Sequence, residues 1–286
     1  MSLHDYFKQH GHGGQDQQQH AGPGQPGAPS GEQISHEIAL KDKKEIAENT
    51  WAFTFEKPAG FQFKAGQHVR MSLIDPPATD SEGNTRFLSM ACTPTEPDLT
   101  FVFRMSDSAF KQVMKDLQPG DKVLIEMLAH GSPRGAFALE ENNEDASRLA
   151  VFLIGGIGIV PIYSMIKDAL ERGLPHQLFL FYANRHPASA TFLAELQTLA
   201  DQHENFTFIP TMTEPEQSEW TGATGLISAD TLRQYLPDLQ TPIYYIAGMP
   251  DMVQALQQVL ADAGVNPDSI RSEEFGSFTT AHPPQP

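Results

Sequence analysis

The 286-residue sequence has one cysteine, few basic residues and no long apolar run. A lone Cys92 cannot form a disulfide framework, nor can it supply the four thiolates of an iron–sulfur cluster within the chain. The longest apolar run, Leu149 to Ile154, is much shorter than the roughly 20 residues of a membrane-spanning helix, so we expect no membrane insertion and a cytoplasmic location. The 19 basic residues face 36 acidic ones, giving a formal charge of −17. This balance argues against a nucleic-acid partner, because such proteins bind phosphates through Lys and Arg.

Metal-ligand spacing is also missing. The chain has 11 histidines, but none forms a His-x-x-x-His or His-Glu-x-x-His pair, the helical spacings that hold zinc. We therefore predict no metal site.

Composition divides the chain into domains and tails. Residues 1–33 are dominated by Gln, Gly, Pro and His and predict a disordered N-terminal tail, because they offer almost nothing to bury. We predict two domains after it, residues 34–147 and 148–278, and a flexible C-terminal tail at 279–286.

The first domain shows short β-favouring runs separated by turn residues. They lie at 51–55, 67–73, 87–90, 99–104 and 122–127. One amphipathic helix, 108–117, interrupts them. Many short strands with one helix predict an antiparallel β-barrel.

The second domain alternates buried strands with helices. The predicted strands are 149–154, 177–182, 206–210 and 243–247, and the predicted helices are 160–171, 190–203, 228–236 and 250–263. This order predicts a Rossmann-like parallel sheet covered on both faces. Such sheets bind nucleotides beyond the carboxyl ends of their strands, where the strand order reverses.

Two glycine turns fall at that edge of the predicted sheet. Gly155-Gly156-Ile157-Gly158 joins a buried strand to a helix that begins near Pro161, and Ala247-Gly248-Met249-Pro250 follows the last strand. Glycine lets backbone N–H groups approach a phosphate, and the helix N-terminus favours its charge. Glycine also permits tight packing of a strand on a helix, so one turn alone decides little. Two turns at one edge suit a dinucleotide.

A third motif, Arg86 to Pro94, lies in the barrel half. Arg86 can clamp a pyrophosphate, and Ser89 can offer a hydroxyl to the reactive edge of a ring. The alternative is an edge strand whose arginine faces water.

These motifs resemble those of the ferredoxin–NADP reductase family, in family order across residues 34–278. Arg86-Phe87-Leu88-Ser89-Met90-Ala91 resembles the Arg-x-Tyr-Ser flavin motif. Gly155 to Pro161 is similar to the Gly-Gly-x-Gly-Ile-Thr-Pro nicotinamide loop, and Ala247 to Pro250 to the Cys-Gly-Pro-Pro turn. Glu273-Glu274-Phe275 resembles the family's acid-then-aromatic ending, and Ser106 to Lys111 the segment that leads into the barrel helix.

The resemblance implies FAD on the barrel and NADPH or NADH on the second domain. It implies that Ser89 lies near flavin N5, that Glu273 positions or protonates the ring edge and that Phe275 covers the ring face; these three are the predicted catalytic residues. The predicted cofactor-binding residues are Arg86, Phe87, Leu88, Ser89, Met90, Ser108, Gly155, Gly156, Gly158, Ile159, Pro161, Asn184, Arg185, Gly248, Met249 and Pro250.

The sequence departs from the family pattern at several positions. Leu88 stands where the family has a stacking tyrosine, Val160 replaces a threonine, Ala247 a cysteine and Met249 a proline. The usual Gly-Pro-x-Gly pyrophosphate segment has no unique equivalent, and Arg134 either contacts phosphate or faces solvent.

The choice of nicotinamide nucleotide depends on the end of the second parallel strand. Arg185 can pair with a 2′-phosphate, stack on adenine or do neither, and no acidic residue there selects a free 2′-hydroxyl. The sequence therefore leans towards NADP and leaves NAD open.

The resemblance implies a flavoprotein reductase that moves hydride between NAD(P)H and FAD. Because the chain cannot ligate its own cluster, electrons would pass to a separate carrier protein: a ferredoxin, a flavodoxin or an oxygenase component. The alternatives are reduction of a small acceptor such as a quinone or ferric complex, and a flavin-binding subunit without independent turnover.

Overall fold

The structure, a computed structural model, describes residues 33–128, 137–141, 149–215 and 219–275. Residues 1–32 of the predicted N-terminal tail, the predicted C-terminal tail, the predicted domain boundary at 147/148 and Arg134 lie outside the described residues.

The first sheet is antiparallel and rolls into a barrel. Its strands are β1 (Gln33–Ala47), β2 (Thr50–Glu56), β3 (His68–Leu73), β4 (Thr85–Ser89), β5 (Asp98–Arg104) and β6 (Lys122–Leu128), in the order β4-β3-β6-β1-β2-β5. A bridge between Met90 and Phe101, with a hydrogen bond from Ala91 N to Thr100 O, joins the two edge strands and closes the barrel. The predicted antiparallel barrel is confirmed.

Apolar side chains that alternate along the strands point inward and fill the barrel. Phe53, Phe55 and Phe101 have no exposed surface, and Phe53 stacks on Phe103 with ring centroids 4.8 Å apart. The helix α1 (Ala109–Asp116) covers the barrel with Phe110 and Met114.

The long strand β1 was not predicted. Its first half pairs with β6 and its second half with β2, and the register shifts twice, between Leu40 and Asp42 and between Glu45 and Ala47. These irregularities interrupt the alternation that would have marked the strand, since each shift moves later side chains to the other face.

The second sheet is parallel. Its strands are β7 (Leu149–Gly155), β8 (Gln177–Asn184), β9 (Phe206–Met212), β10 (Ala223–Thr224), β11 (Ile243–Gly248) and β12 (Ile270–Glu274), in the order β10-β9-β8-β7-β11-β12. The strand order reverses between β7 and β11, so both glycine turns follow strands at the switch point.

Helices cover both faces of this sheet, as predicted. Residues of α2 (Ile159–Glu171) and α3 (Leu193–Gln202) pack in one core cluster, and residues of α4 (Ala229–Tyr235) and α5 (Pro250–Asp262) pack in another. Strand β12 was missed because Arg-Ser-Glu-Glu lacks an apolar pattern; it forms by pairing with β11. Within the described parts of the chain, no helix combines the length and apolarity needed to cross a bilayer.

The two sheets belong to one compact unit. Ala52, Ala91 and Val102 of the barrel pack on Val160 of α2 in a buried apolar patch. The Ser164 hydroxyl on α2 donates to the Cys92 carbonyl at 2.6 Å. The barrel strand that ends at Ser89 is therefore anchored beside the first glycine turn.

Candidate functional site

The strand that carries Ser89 ends against the last strand of the parallel sheet. Ser89 lies opposite His68 of β3, and His68 Nδ1 is 3.5 Å from Glu273 Oε1 on β12. Glu273 in turn lies opposite Ala247 of β11. The structure therefore brings Ser89 and Glu273, predicted from opposite ends of the sequence, to one place at the carboxyl edge of the parallel sheet.

Ser89 and Glu273 each carry a buried oxygen without a hydrogen-bond partner among the described residues, the Oγ of Ser89 and the Oε2 of Glu273. Buried polar atoms in native proteins are nearly always paired, because an unpaired one costs about 1–3 kcal/mol. The two oxygens are thus available to a polar group that enters between the domains.

The other residues of β4 alternate between the two faces of the strand. Phe87 shares the face of Ser89, is 57% exposed, and meets the ring of His68 edge-on with centroids 5.7 Å apart. Leu88 packs against the barrel core, and the Met90 side chain is fully buried in it. Among the predicted ring contacts, Phe87 and Ser89 therefore lie nearest to Glu273.

Arg86, the predicted pyrophosphate clamp, is held by the chain itself. Its Nη1 donates to the carbonyl oxygens of Glu82 and Gly83 at 3.1 Å. Its Nη2 is 3.1 Å from Asp80 Oδ1 and 3.0 Å from Glu82 Oε2. The guanidinium also lies 5.2 Å from the centroid of the Phe110 ring. The expected alternative, an arginine facing water, is wrong, since the Arg86 side chain is only 15% exposed.

The N-terminus of α1 adjoins the same carboxylate. Ser108 caps the helix through its Oγ, and Asp80 Oδ2 accepts from Ala109 N at 2.8 Å. Desolvation raises the pKa of Asp80, but hydrogen bonds from Ala109, Arg86 and the Glu82 backbone outweigh it and hold the pKa below its usual value. In this structure the Arg86 guanidinium and the N-terminus of α1 are therefore both bound to the Asp80 carboxylate of the chain itself.

The first glycine turn is tightly packed. After β7, a 3₁₀ turn covers Gly156–Gly158 and leads into α2. Gly156 has a φ of +50°, which side chains other than glycine rarely adopt. A Cβ on Gly158 would lie 2.4 Å from the carbonyl oxygen of Ala247. Ile159 and Pro161 are buried beneath the turn, so these two predicted cofactor-binding residues support the turn from inside.

The second glycine turn lies beside the first. A Cβ on Gly248 would be 3.6 Å from the backbone nitrogen of Gly155. Phe275 N donates to Gly248 O at 2.8 Å, which fixes the predicted ring-covering residue at this turn. Met249 is 68% exposed, and Pro250 begins α5. The two turns and Phe275 therefore meet at the switch point of the sheet.

A polar cluster beside the first glycine turn contains the predicted Asn184 together with residues that were not predicted. Arg104, at the end of β5, donates through Nη2 to Ser189 O at 3.1 Å, and its Nη atoms lie 4.0 Å from where a Cβ of Gly156 would be. Among the described residues, Arg104 Nε, both amide atoms of Asn184 and Thr191 Oγ1 are buried without a hydrogen-bond partner. The sequence signal that could have identified Arg104 is its position as a single cation directly after the apolar run Phe101 to Phe103.

The Tyr182 hydroxyl lies within this cluster, 3.2 Å from both Gly156 O and Thr191 O. Burial raises its pKa, so the group stays a neutral donor. The Asn184 carboxamide adjoins this hydroxyl, although neither of its amide atoms makes a hydrogen bond of good geometry with a described residue. Arg185, the next residue, is exposed.

Among the described residues, no group of three or more His, Cys, Asp or Glu side chains could hold a metal ion. The geometry provides a crevice edge with two glycine turns and unpaired polar atoms from both domains.

Residues 152–258 match the family model of the oxidoreductase NAD-binding domain. The chain is 32% identical to one of the subunits of the Na(+)-translocating NADH-quinone reductase of Methylococcus capsulatus over 166 residues, which are 56% of this chain and 39% of that protein. It is 26% identical to the reductase component of propane 2-monooxygenase of Rhodococcus jostii over 227 residues, 77% of this chain and 58% of that protein. The chain thus spans less than two thirds of the length of either relative.

Solved structures share the whole architecture. The cytochrome P450 reductase GcoB of Amycolatopsis has a TM-score of 0.71 at 21% identity, with 87% of this chain and 72% of that chain covered. A ferredoxin NADP+ reductase from Neisseria gonorrhoeae, with bound FAD and NADP, has a TM-score of 0.68 at 21% identity, with 84% and 98% covered. The chain therefore has the two-domain fold of these two reductases, and its residues 152–258 are similar to an oxidoreductase NAD-binding domain.

Proposed function

We propose that the protein is an NAD(P)H-dependent flavoprotein reductase. In this proposal it transfers hydride between NAD(P)H and FAD and passes electrons to a separate carrier protein: a ferredoxin, a flavodoxin or an oxygenase component. One observation carries the proposal. Ser89 of the barrel and Glu273 of the parallel sheet, each with an unpaired buried oxygen, meet beside paired glycine turns.

The barrel residues fit a flavin. Ser89 and Phe87 would contact the ring, with Leu88 and Met90 as the backing provided by the barrel core. Arg86 and the capped N-terminus of α1 at Ser108 would hold the phosphates, which would have to take over the Asp80 carboxylate's contacts with Arg86 and Ala109 N.

The residues of the second domain fit a dinucleotide. Among the described residues, a Cβ on Gly156 would meet only Arg104, at 4.0 Å, so the backbone there leaves room for a phosphate. Gly155, Gly158 and Gly248 let the two turns pack closely, and Ile159 and Pro161 hold the first turn in place. The unpaired Asn184 and Arg104, together with Arg185, offer polar and cationic contacts at the same edge, and Met249 and Pro250 border the second turn.

Catalysis in such a site is mainly positioning, because the chemistry a bound flavin supplies is acceptance of hydride and onward delivery of electrons. In this proposal the Ser89 hydroxyl would hydrogen-bond the reacting ring edge. Glu273 would orient that edge or exchange a proton there, with His68 near its other oxygen. Phe275 would shield the crevice from water until the nicotinamide enters.

Anaerobic titration tests the proposal. Purified protein should contain FAD, and NADH or NADPH should bleach its absorbance bands. Reduced protein should then be reoxidised by an electron-carrier protein. Absence of flavin would contradict the assignment. A bound flavin that neither nucleotide bleaches would also contradict it, and would favour a flavin-binding subunit without turnover.

A second candidate keeps the cofactors and changes the acceptor. It is favoured by the similarity to a component of an NADH-quinone reductase, which covers 56% of this chain. Rapid reoxidation by a soluble quinone or a ferric complex, with no response to ferredoxin or flavodoxin, would support it over the carrier-protein proposal.

The location we propose is the cytoplasm, where nicotinamide nucleotides are in supply. Cell fractionation followed by immunodetection tests this, and recovery of the protein mainly with membranes would contradict it.

A further inference from the structure

One buried hydroxyl joins the first glycine turn to the segment that follows β8. Tyr182 lies on β8 opposite Ile154, the residue before the turn, and has no exposed surface. Its hydroxyl oxygen is 3.2 Å from Gly156 O in the turn and 3.2 Å from Thr191 O in the segment after β8. A hydroxyl has one hydrogen to donate, so the two carbonyl groups share it.

The contact with Tyr182 fixes the direction of the Gly156 peptide group. Gly156 has a φ of +50°, and glycine by itself restrains such a backbone little. Its carbonyl oxygen accepts from the Tyr182 hydroxyl and from Ile159 N, so it faces the interior of the domain. In a planar trans peptide the next N–H points the opposite way. The Ile157 N–H therefore points away from Tyr182, to the outer side of the turn.

The second carbonyl group belongs to a segment that the barrel holds. In this segment Ser189 O accepts from Arg104 Nη2 at 3.1 Å, and Ala188 O accepts from Glu48 N at 2.8 Å. Both donors belong to the barrel. The Tyr182 hydroxyl thus connects the glycine turn with the part of the second domain that is bound to the barrel.

We propose that Tyr182 is a positioning residue for the nicotinamide nucleotide. Its hydroxyl holds the Gly156 carbonyl inward and so keeps the Ile157 N–H on the outer side of the turn, where a phosphate would bind. A turn that is already ordered loses less entropy when it binds a ligand, so the hydroxyl raises the affinity without touching the nucleotide. The inference rests on the proposed function and goes beyond it by assigning a role to a buried residue outside the crevice.

The test is Tyr182→Phe, which removes the hydroxyl and keeps the ring. Calorimetric titration of NAD+ and NADP+ into the flavin-loaded protein gives affinities without turnover. Steady-state reduction of ferricyanide by NADH and NADPH gives KM and kcat. The dissociation constants and KM should rise about 5- to 10-fold, the size expected for one hydrogen bond. Flavin content and kcat at saturating nucleotide should stay at wild-type values, because the lost affinity is shared by ground state and transition state.

Hydrogen exchange in the nucleotide-free protein tests the turn itself. The Ile159 amide donates to Gly156 O, so its exchange, followed by NMR, should be faster in Tyr182→Phe once the hydroxyl no longer holds that carbonyl. An Ile159 exchange rate equal to that of wild type would show that the turn keeps its conformation without the hydroxyl, and would overturn the inference.

Tyr244→Phe is the matched control. Tyr244 lies on β11 in the other core cluster of the sheet and has no exposed surface, and its hydroxyl donates to Leu239 O at 2.8 Å. This variant also loses one buried hydroxyl bound to a backbone carbonyl, so it should lose a similar amount of stability. Its nucleotide affinity and the exchange of the Ile159 amide should stay at wild-type values.

The two variants together separate the possible failures. Wild-type nucleotide affinity in Tyr182→Phe, or an equal loss of affinity in Tyr244→Phe, would overturn the inference and leave the proposed function standing. If the wild-type protein binds neither nucleotide, the proposed function fails and the inference fails with it.

Discussion

At the scale of single residues, the main feature is the pair of unpaired oxygens on Ser89 and Glu273. The two come from sequence positions 184 residues apart, and each was identified by its local motif. Their meeting depends on His68, which faces Ser89 across β3 and contacts Glu273. No local pattern marks His68, since its role arises only from long-range pairing.

Replacing Ser89 tests the hydroxyl directly. If the proposed function holds, we expect Ser89→Ala to slow flavin reduction by NAD(P)H about 100-fold, a typical cost for removing one preorganised donor, while flavin stays bound. Anaerobic stopped-flow absorbance measures the rate. Ser72→Ala is the control, because Ser72 pairs with Thr85 elsewhere on the same strands. An unchanged rate in Ser89→Ala would remove this hydroxyl from the reaction.

The residues that sequence reasoning missed have a common cause. Arg104 acts across the domain boundary, on Ser189 and the first glycine turn, and His68 meets Glu273 only because the two domains pack together. Motif residues such as Gly156 and Gly248 could be predicted because their requirement is local, in backbone conformation and close approach.

At the scale of elements, strands with clear alternation and helices with an apolar face were predicted within a few residues. β1 and β12 were missed, the first because bulges break its period and the second because it has almost no apolar residues. Both strands are stabilised by pairing with neighbouring strands, and the residue pattern of one strand does not show which strands will pair with it.

Asp80 links β4 to α1, and its contribution should depend on pH. Its pKa is lowered in the folded protein, so its stabilising effect is present above the ordinary value of 3.8 and is lost as pH falls through the folded value. Asp80→Asn should therefore lower the Tm at pH 7, and the difference from wild type should shrink below about pH 4. Calorimetry across this range measures it. A difference that persists undiminished at pH 3 would contradict the account.

The close contact between the first glycine turn and β11 predicts that substitutions at Gly158 and Gly248 lower the stability of the protein by different amounts. Gly158→Ala places a Cβ 2.4 Å from the backbone of Ala247, whereas Gly248→Ala meets only the Met252 sulfur at 3.3 Å and backbone at 3.6 Å or more. We expect Gly158→Ala to destabilise the protein by about 2–3 kcal/mol and Gly248→Ala by less than about 1 kcal/mol. Urea denaturation compares them, and equal losses would show that the turn can shift away from β11.

At the scale of the whole molecule, the two sheets form one compact unit because an apolar patch lies between them. Val160 at its centre replaces the threonine of the family pattern. The patch explains this departure, since Val160 is 2% exposed and its described neighbours include Ala52, Ala91 and Val102.

Val160→Thr would place a hydroxyl in this patch. We expect a loss of about 1–2 kcal/mol in the free energy of unfolding, because the hydroxyl loses its water, with a single cooperative transition retained. Val259→Thr, at a half-buried position of α5, should cost clearly less. Two separate transitions in the wild type would show that the domains unfold independently and that the patch couples them weakly.

Four successive residues, beginning with the last residue of β4, each contact a different part of the molecule. Ser89 faces the crevice, Met90 bridges to Phe101 to close the barrel, Ala91 packs on the second domain, and the Cys92 carbonyl accepts from Ser164 of α2. A hinge that swung the domains apart would therefore pull on the contact that closes the barrel and would displace Ser89 with it. If the proposed function holds, we expect the nucleotide to enter and leave along the carboxyl edge of the parallel sheet, past Phe275, without separation of the two domains.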